Sequence, residues 1–232
     1  MREGDFLATI TKRVEEIQED IKKHSIYPEK VKLVAVTKYP IVDKPKLKEL
    51  MANEIFDFGE NRVQVLEAKR ELLEEDKDKI NWNFIGNLQK NKVKYIIDYV
   101  YMIHSINRMS LAQEVDKRAK GIGRIIDVLI EINLSGEESK EGYTKEDFYK
   151  ELPELMKLKN INIKGLMTMA PNVDDEEEIR ASFRKLREIK DELNEKYFKG
   201  TLSELSMGMS HDYKIALEEG ATIIRVGSKL YS

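Results

Sequence analysis

The sequence predicts an α/β fold, a (β/α)8 barrel of the TIM type with an extra helix at its N-terminus. Three observations predict it. Apolar runs of strand length alternate regularly with amphipathic stretches, the order of a parallel sheet. There are eight such runs, with a helix after each of the first seven. The chain has 232 residues, a length at which these barrels occur as one domain, so 1–232 reads as a single unit. A doubly wound open sheet would also alternate, but commonly with about five to seven strands.

Each element follows from local chemistry. Residues 5–24 form an amphipathic helix, with Phe6, Ile10, Val14, Ile17 and Ile21 at spacings of three and four. Tyr27-Pro28 ends it. The first strand, 31–37, carries the apolar run Leu33 to Val36, closes on Lys38 and is followed by Tyr39-Pro40. A helix near 45–53 has Pro45 at its start. Strand 55–59 precedes a helix over 61–75, strand 81–86 a short helix over 88–97, and strand 99–105 a helix over 108–120 that ends at Gly121. The most apolar strand, 124–133, leads through a polar loop at 134–142 to a helix near 144–158. Strand 161–169 precedes a long helix, 174–196, with four acidic residues in its first turn, where the helix dipole favours them. Strand 202–207 precedes a helix over 211–219 that ends at Gly220, and 221–226 is the eighth strand. Ser232 leaves no room for a full eighth helix, so the first helix is expected to cover that side of the barrel.

Composition narrows the function. Apolar residues make up 41% and charged residues 36%, an adequate core under a heavily charged surface. The net charge of -3, with both signs interspersed, gives no nucleic-acid footprint. The absence of cysteine excludes disulfides, thiolate metal sites and thiol catalysis and fits a reducing compartment. Residues 1–5 are not a signal peptide, and no run reaches the ~20 apolar residues of a membrane span. A soluble, cytoplasmic monomer is expected. The Lys/Glu-rich composition suits a heat-adapted protein as well as an ordinary charged surface.

In this fold chemistry sits at the C-terminal strand ends. Lys38 stands at the first, where a lysine can form an imine with a carbonyl compound. The loops after strands seven and eight often bind phosphate. The first is Ser206-Met207-Gly208-Met209-Ser210, with Ser210 at the N-cap position of the following helix. The second is Arg225-Val226-Gly227-Ser228, which offers backbone donors and a hydroxyl. Asp212 opposes phosphate unless it points away. Arg225 needs a carboxylate such as Glu60 or a cavity to face; facing a cavity, it suits the ring nitrogen of pyridoxal phosphate. An arginine there leaves that nitrogen unprotonated and weakens the ring as an electron sink. Asn61 suits a ligand oxygen or a helix N-cap. His104 reads as a satisfied core histidine, His24 and His211 form no metal-ligand spacing, and Met167 and Met169 read as packing. The strand ends supply amides and hydroxyls and few acids.

Taken together, these segments resemble the pyridoxal 5′-phosphate homeostasis protein family. The matches are Leu33-Val34-Ala35-Val36-Thr37-Lys38, Phe58-Gly59-Glu60-Asn61, Trp82-Asn83-Phe84-Ile85-Gly86-Asn87-Leu88-Gln89 and His104-Ser105. Further ones are 133–138, Gly165-Leu166-Met167-Thr168-Met169, 205–210 and Arg225-Val226-Gly227-Ser228, in family order over almost the whole chain. The resemblance implies the type III pyridoxal phosphate barrel, like the N-terminal domain of alanine racemase. It implies a Schiff base on Lys38, phosphate on Ser210, Gly227 and Ser228 with Ser206 close by, Arg225 near the pyridine nitrogen, and Asn61 near the ring. Asn83 and Asn87 depart from the family, where histidine is common, and Ser228 replaces a common threonine.

The function implied is binding, buffering or delivery of pyridoxal phosphate, with apo-enzymes that use it as recipients and no established reaction. An amino-acid racemase is the alternative. It needs a second base besides Lys38, which alanine racemase takes from a further domain that this chain lacks; Tyr39, Tyr143 and Tyr213 are the tyrosines nearest the strand ends. A barrel acting on a sugar phosphate with a non-covalent lysine is a third reading.

Overall fold

The computed structural model describes residues 3–39, 42–135 and 141–232, with the side chains of 3–9 excepted. The readings above that involve residues 1–2, the side chain of Phe6, Pro40 and 136–138 lie outside the described residues. Eight parallel strands close into a barrel in sequence order. They are β1 (Lys32–Val36), β2 (Asp57–Glu60), β3 (Asn81–Phe84), β4 (Met102–Ile106), β5 (Ile126–Glu131), β6 (Ile161–Met167), β7 (Glu204–Ser206) and β8 (Ile223–Val226). Closure is made by β8 on β1, with Lys32 opposite Ile223 and Ala35 opposite Val226.

Around them run α1 (Glu3–His24), α2 (Lys44–Ala52), α3 (Val63–Leu72), α4 (Val93–Ile96), α5 (Met109–Gly121), α6 (Lys145–Leu155), α7 (Glu176–Leu193), α8 (Tyr213–Glu218) and α9 (Ser228–Tyr231). Side chains fix several starts. Asp43 accepts from the Lys46 N–H, Thr144 from the Asp147 N–H, and Asp175 from Glu177 and Glu178. As expected, α1 packs where an eighth helix would lie, against α2, α8 and the four-residue α9. Its stripe of Ile10, Val14, Ile17 and Ile21 enters the main core.

Some boundaries differ for physical reasons. Strands β2 and β4 begin later than their apolar runs, because Ile55 and Val100 are buried in the core without belonging to a strand. Helix α4 is one turn after a 3-10 turn at Lys90–Lys92. Helix α8 begins at Tyr213, because Asp212 folds its carboxylate back onto the Met209 N–H and holds 209–212 as a turn.

The strands separate two cores. Outward-facing residues such as Phe58, Trp82 and Phe84 pack against the helices, each contributing roughly 2–3 kcal/mol by burial. Inward-facing Val34, Met102, Leu129, Met167 and Ile223 form a small inner core. The rest of the barrel interior is polar, and it leads to the site.

Candidate functional site

Strand parity builds the site. On β1, Lys32, Val34, Val36 and Lys38 share one face. Lys32 lies at the N-terminal end, its ammonium 3.3 Å from Glu204. Val34 belongs to the inner core. Lys38, two residues past the strand, is exposed and lines a cavity at the C-terminal mouth, with its Nζ 5.7 Å from the centre of the Tyr39 ring. The cavity holds about 350 Å³, within the range of roughly 300–1,000 Å³ usual for small-molecule sites. The same parity delivers Asn61 beyond β2, Ile85 beyond β3, Glu131 at the end of β5, Met169 beyond β6 and Arg225 on β8. The loops after β7 and β8 add Met209, Ser210, His211, Gly227 and Ser228.

Six of the seven residues singled out from sequence therefore meet in one cavity: Lys38, Asn61, Ser210, Arg225, Gly227 and Ser228. Ser206 lies apart from its lining, fully buried in the barrel interior. There it accepts a hydrogen bond of 2.7 Å from Arg225 Nη1, while Arg225 Nη2 donates to the Thr168 carbonyl at 3.0 Å. Arg225 forms no ion pair among the described residues. Glu60, its suggested partner, is bound to Lys69 and Thr37 instead. The guanidinium keeps donors for a ligand, and burial pulls its pKa down to about 10 against the pull of Asp212 and Glu131.

Asn83 fixes the state of His104. Its Oδ1 can only accept, so Nε2 carries the ring proton and donates to it at 3.1 Å. In the neutral ring Nδ1 then accepts from the Ser206 hydroxyl at 3.0 Å. Asn83 Nδ2 donates onward to Asp57 at 3.1 Å. A one-way chain of donors thus runs from the cavity floor to the far end of the barrel. His104 is the satisfied core histidine that the sequence suggests, and burial, reinforced by Arg225 and Lys32, pushes its pKa down to about 3.

The two loops meet through Ser210. The Arg225 N–H donates to the Gly208 carbonyl at 2.9 Å, tying one loop to β8. Gly208 has φ +93, and a Cβ there would lie 2.6 Å from that of Ala216, so only glycine fits. Ser210 Oγ accepts from the N–H groups of Gly227 (3.2 Å) and Lys229 (3.4 Å). It is therefore a cross-link between loops and makes no cap for α8. With both lone pairs engaged, its hydroxyl proton is left to donate to an anion. Asp212, bound to the Met209 N–H, is outside the cavity lining, which removes its objection to an anion. A Cβ on Gly227 would come 2.7 Å from Tyr39 Cε2, so backbone and ring are in close contact.

Two expectations are corrected. Asn61 is no N-cap, because Arg62 holds that position and Asn61 lines the cavity. Met169 is 37% exposed at the rim, so it does not pack like Met167. The mouth also holds two acids, Glu131 and Glu141. Glu131 is buried, and the lost hydration outweighs the attraction of Arg225; with Glu141 adding repulsion, its pKa rises to about 7. Glu141 accepts from Asn87 (2.6 Å) and Asn107 (2.9 Å). Glu131 had a sequence signal: it ends an apolar run as Lys38 and Arg225 do. Ile132, which continues the apolar run toward Asn133, masks it. Glu141 sits in a polar loop and had none. Of the three tyrosines considered, Tyr39 alone lines the cavity. Tyr143 donates to Glu151 at 2.8 Å, and Tyr213 donates to Asp20.

Comparison with known proteins agrees with this geometry. The family model described as alanine racemase, N-terminal domain, matches residues 7–232. A protein of Aquifex aeolicus named pyridoxal phosphate homeostasis protein is 48% identical over 174 residues, 75% of each chain. One of the same name from Synechocystis is 37% identical over 204 residues, covering 88% of this chain and 92% of the other. Among solved structures, PipY of Synechococcus elongatus, determined with PLP bound, matches with a TM-score of 0.85 at 33% identity, over 96% of this chain and 100% of that one.

Proposed function

This chain belongs to the pyridoxal phosphate homeostasis protein family, and from that premise we propose that it binds pyridoxal 5′-phosphate as a Schiff base on Lys38 and buffers or delivers it. The observation that carries the reading is the joint lining of one cavity by a lysine amine, an arginine not spent on a carboxylate, and two loops that offer donors to an anion.

The residues fit that ligand. When bound, pyridoxal phosphate supplies an aldehyde and an electron-withdrawing ring. Lys38 supplies the amine. Ser210 donates its free hydroxyl proton to the phosphate, alongside the N–H and hydroxyl of Ser228; the Gly227 N–H is held by Ser210 Oγ, and Gly227 contributes close approach of the backbone. Arg225 donates to the pyridine nitrogen and keeps it unprotonated, because the guanidinium holds its own protons far more tightly. Ser206, outside the lining, aims Arg225 rather than touching phosphate. Asn61 stands by the ring. All of these come from one chain, so the protein works as a monomer in this reading, with residues 1–232 as one binding domain. No described helix is long and apolar enough to cross a membrane. The cysteine-free composition suits a reducing compartment, and in this proposal the protein acts in the cytoplasm with apo-enzymes as recipients.

The relatives carry a homeostasis name, which favours binding over racemisation. Titration with pyridoxal phosphate tests the reading. Wild type is expected to gain a visible band that saturates at one equivalent, and Lys38→Ala to gain none. The same band in both proteins would overturn the assignment.

A further inference from the structure

Behind Lys38, on the outer side of the barrel wall, lies a buried ion pair that the proposed binding does not use. Lys69 on α3 places its ammonium 2.7 Å from Glu60 Oε1. Glu60 is 0% exposed and Lys69 8% exposed. Burying two charges is costly, and such a pair is weak evidence for stability alone. Its second contact points elsewhere: both members converge on Thr37, the residue before Lys38.

All polar groups of Thr37 are engaged with β2 and α3. Its N–H donates to the Gly59 carbonyl at 3.0 Å. Its hydroxyl donates to Glu60 Oε1 at 2.5 Å. Its carbonyl accepts from Lys69 Nζ. The other oxygen of Glu60 has no hydrogen bond among the described residues, so the carboxylate serves Thr37 and Lys69. Thr37 itself is fully buried and follows the last residue of β1. Beyond it the backbone leaves the sheet, and Lys38 has no ladder to hold it.

We infer that Lys69, Glu60 and Thr37 form a clamp on the Thr37–Lys38 peptide, making them positioning residues that hold the Lys38 amine over the cavity. This rests on the Schiff-base reading of Lys38. In the step concerned, the neutral amine adds to the aldehyde carbon. A C=N bond forms, and the carbonyl oxygen leaves as water with both amine protons. The rate depends on where the nitrogen sits, and misplacement by about 1 Å costs on the order of a hundredfold. The phosphate contacts and the Arg225 contact to the ring arise on β8 and the loops after β7 and β8 and do not depend on the clamp; of the ring's neighbours only Asn61 adjoins it.

That separation supplies the test. The full chain is given pyridoxal phosphate, with borohydride trapping of the adduct over time. It is separately given pyridoxine 5′-phosphate, which keeps ring and phosphate but carries an alcohol and cannot form an imine. The double variant Glu60→Gln/Lys69→Met removes both charges together and avoids an orphaned one. Its adduct formation is expected to slow roughly ten- to a hundredfold, with pyridoxine phosphate affinity unchanged. Thr37→Val, a milder change, is expected to slow it about threefold or more, and Thr37→Ser to restore the parental rate. Thr37→Val decides the matter if the double variant does not fold. Parental rates in Thr37→Val, or equal losses for both ligands, would overturn the clamp. A wild type that forms no adduct would instead refute attachment at Lys38, and the clamp with it.

Discussion

Glu131→Gln should make the ligand-free protein more stable at pH 8 while changing little at pH 4. The carboxyl lies in the barrel mouth with 4% exposure, and its pKa is raised from 4.5 to about 7. Burial is the main cause, Arg225 opposes it, and Glu141 adds to it. A raised folded-state pKa gives a stabilising contribution that is complete below the unfolded value and is lost as pH rises through the folded one. For Glu131 that window runs from 4.5 to about 7. The interval of about 2.5 units, at ~1.4 kcal/mol each, sets an upper value of ~3.5 kcal/mol. Glutamine keeps the shape and never ionises, so its advantage should grow across the window and then level off. In a chain of this size about 3.5 kcal/mol corresponds to roughly 7–14 °C in Tm. Urea unfolding of both proteins at unit steps from pH 4 to pH 8 reads it directly. A difference independent of pH, or a glutamine variant less stable at pH 8, would refute the electrostatic reasoning.

His104 works on the acid side with the opposite sign. Its pKa is depressed from 6.5 to about 3, so stability should fall as pH drops through that interval, and a urea titration of His104→Gln should show a flatter acid limb. Ser210→Ala removes the hydroxyl that joins Gly227 and Lys229; the dissociation constant for pyridoxal phosphate should rise about tenfold, and an unchanged titration would count against Ser210 as a phosphate ligand. Gly227→Ala places a Cβ 2.7 Å from the Tyr39 ring; it should cost roughly 1–3 kcal/mol in thermal unfolding and weaken cofactor uptake as well.

Much of this was legible in the sequence, for a physical reason. A parallel barrel strand is apolar until it reaches the mouth, so a charged residue that closes such a run points to the site. Lys38 and Arg225 were found that way. Glu131 obeys the same rule, but Ile132 follows it and carries the apolar pattern on toward Asn133, which masks the strand end. Long-range register is what sequence does not carry. Ser206 pairs opposite Ile223, which sets it inside the barrel, bonded to Arg225 and outside the cavity lining. Ser210 looks like a helix cap because it precedes α8, yet its partners are Gly227 after β8 and Lys229 in α9. The role of Glu60 needed Lys69, nine residues away on a helix whose inner face brings it back to β1. Met169 read as packing because an apolar residue at a strand end has the same pattern whether it lies in the core or on the rim.

Borohydride reduction of the pyridoxal phosphate complex, followed by mapping of the modified peptide, tests the central claim most directly. One cofactor residue on the peptide that contains Lys38, and no other modified lysine, is the expected result. Modification elsewhere, or full retention of cofactor without any reducible bond, would contradict it.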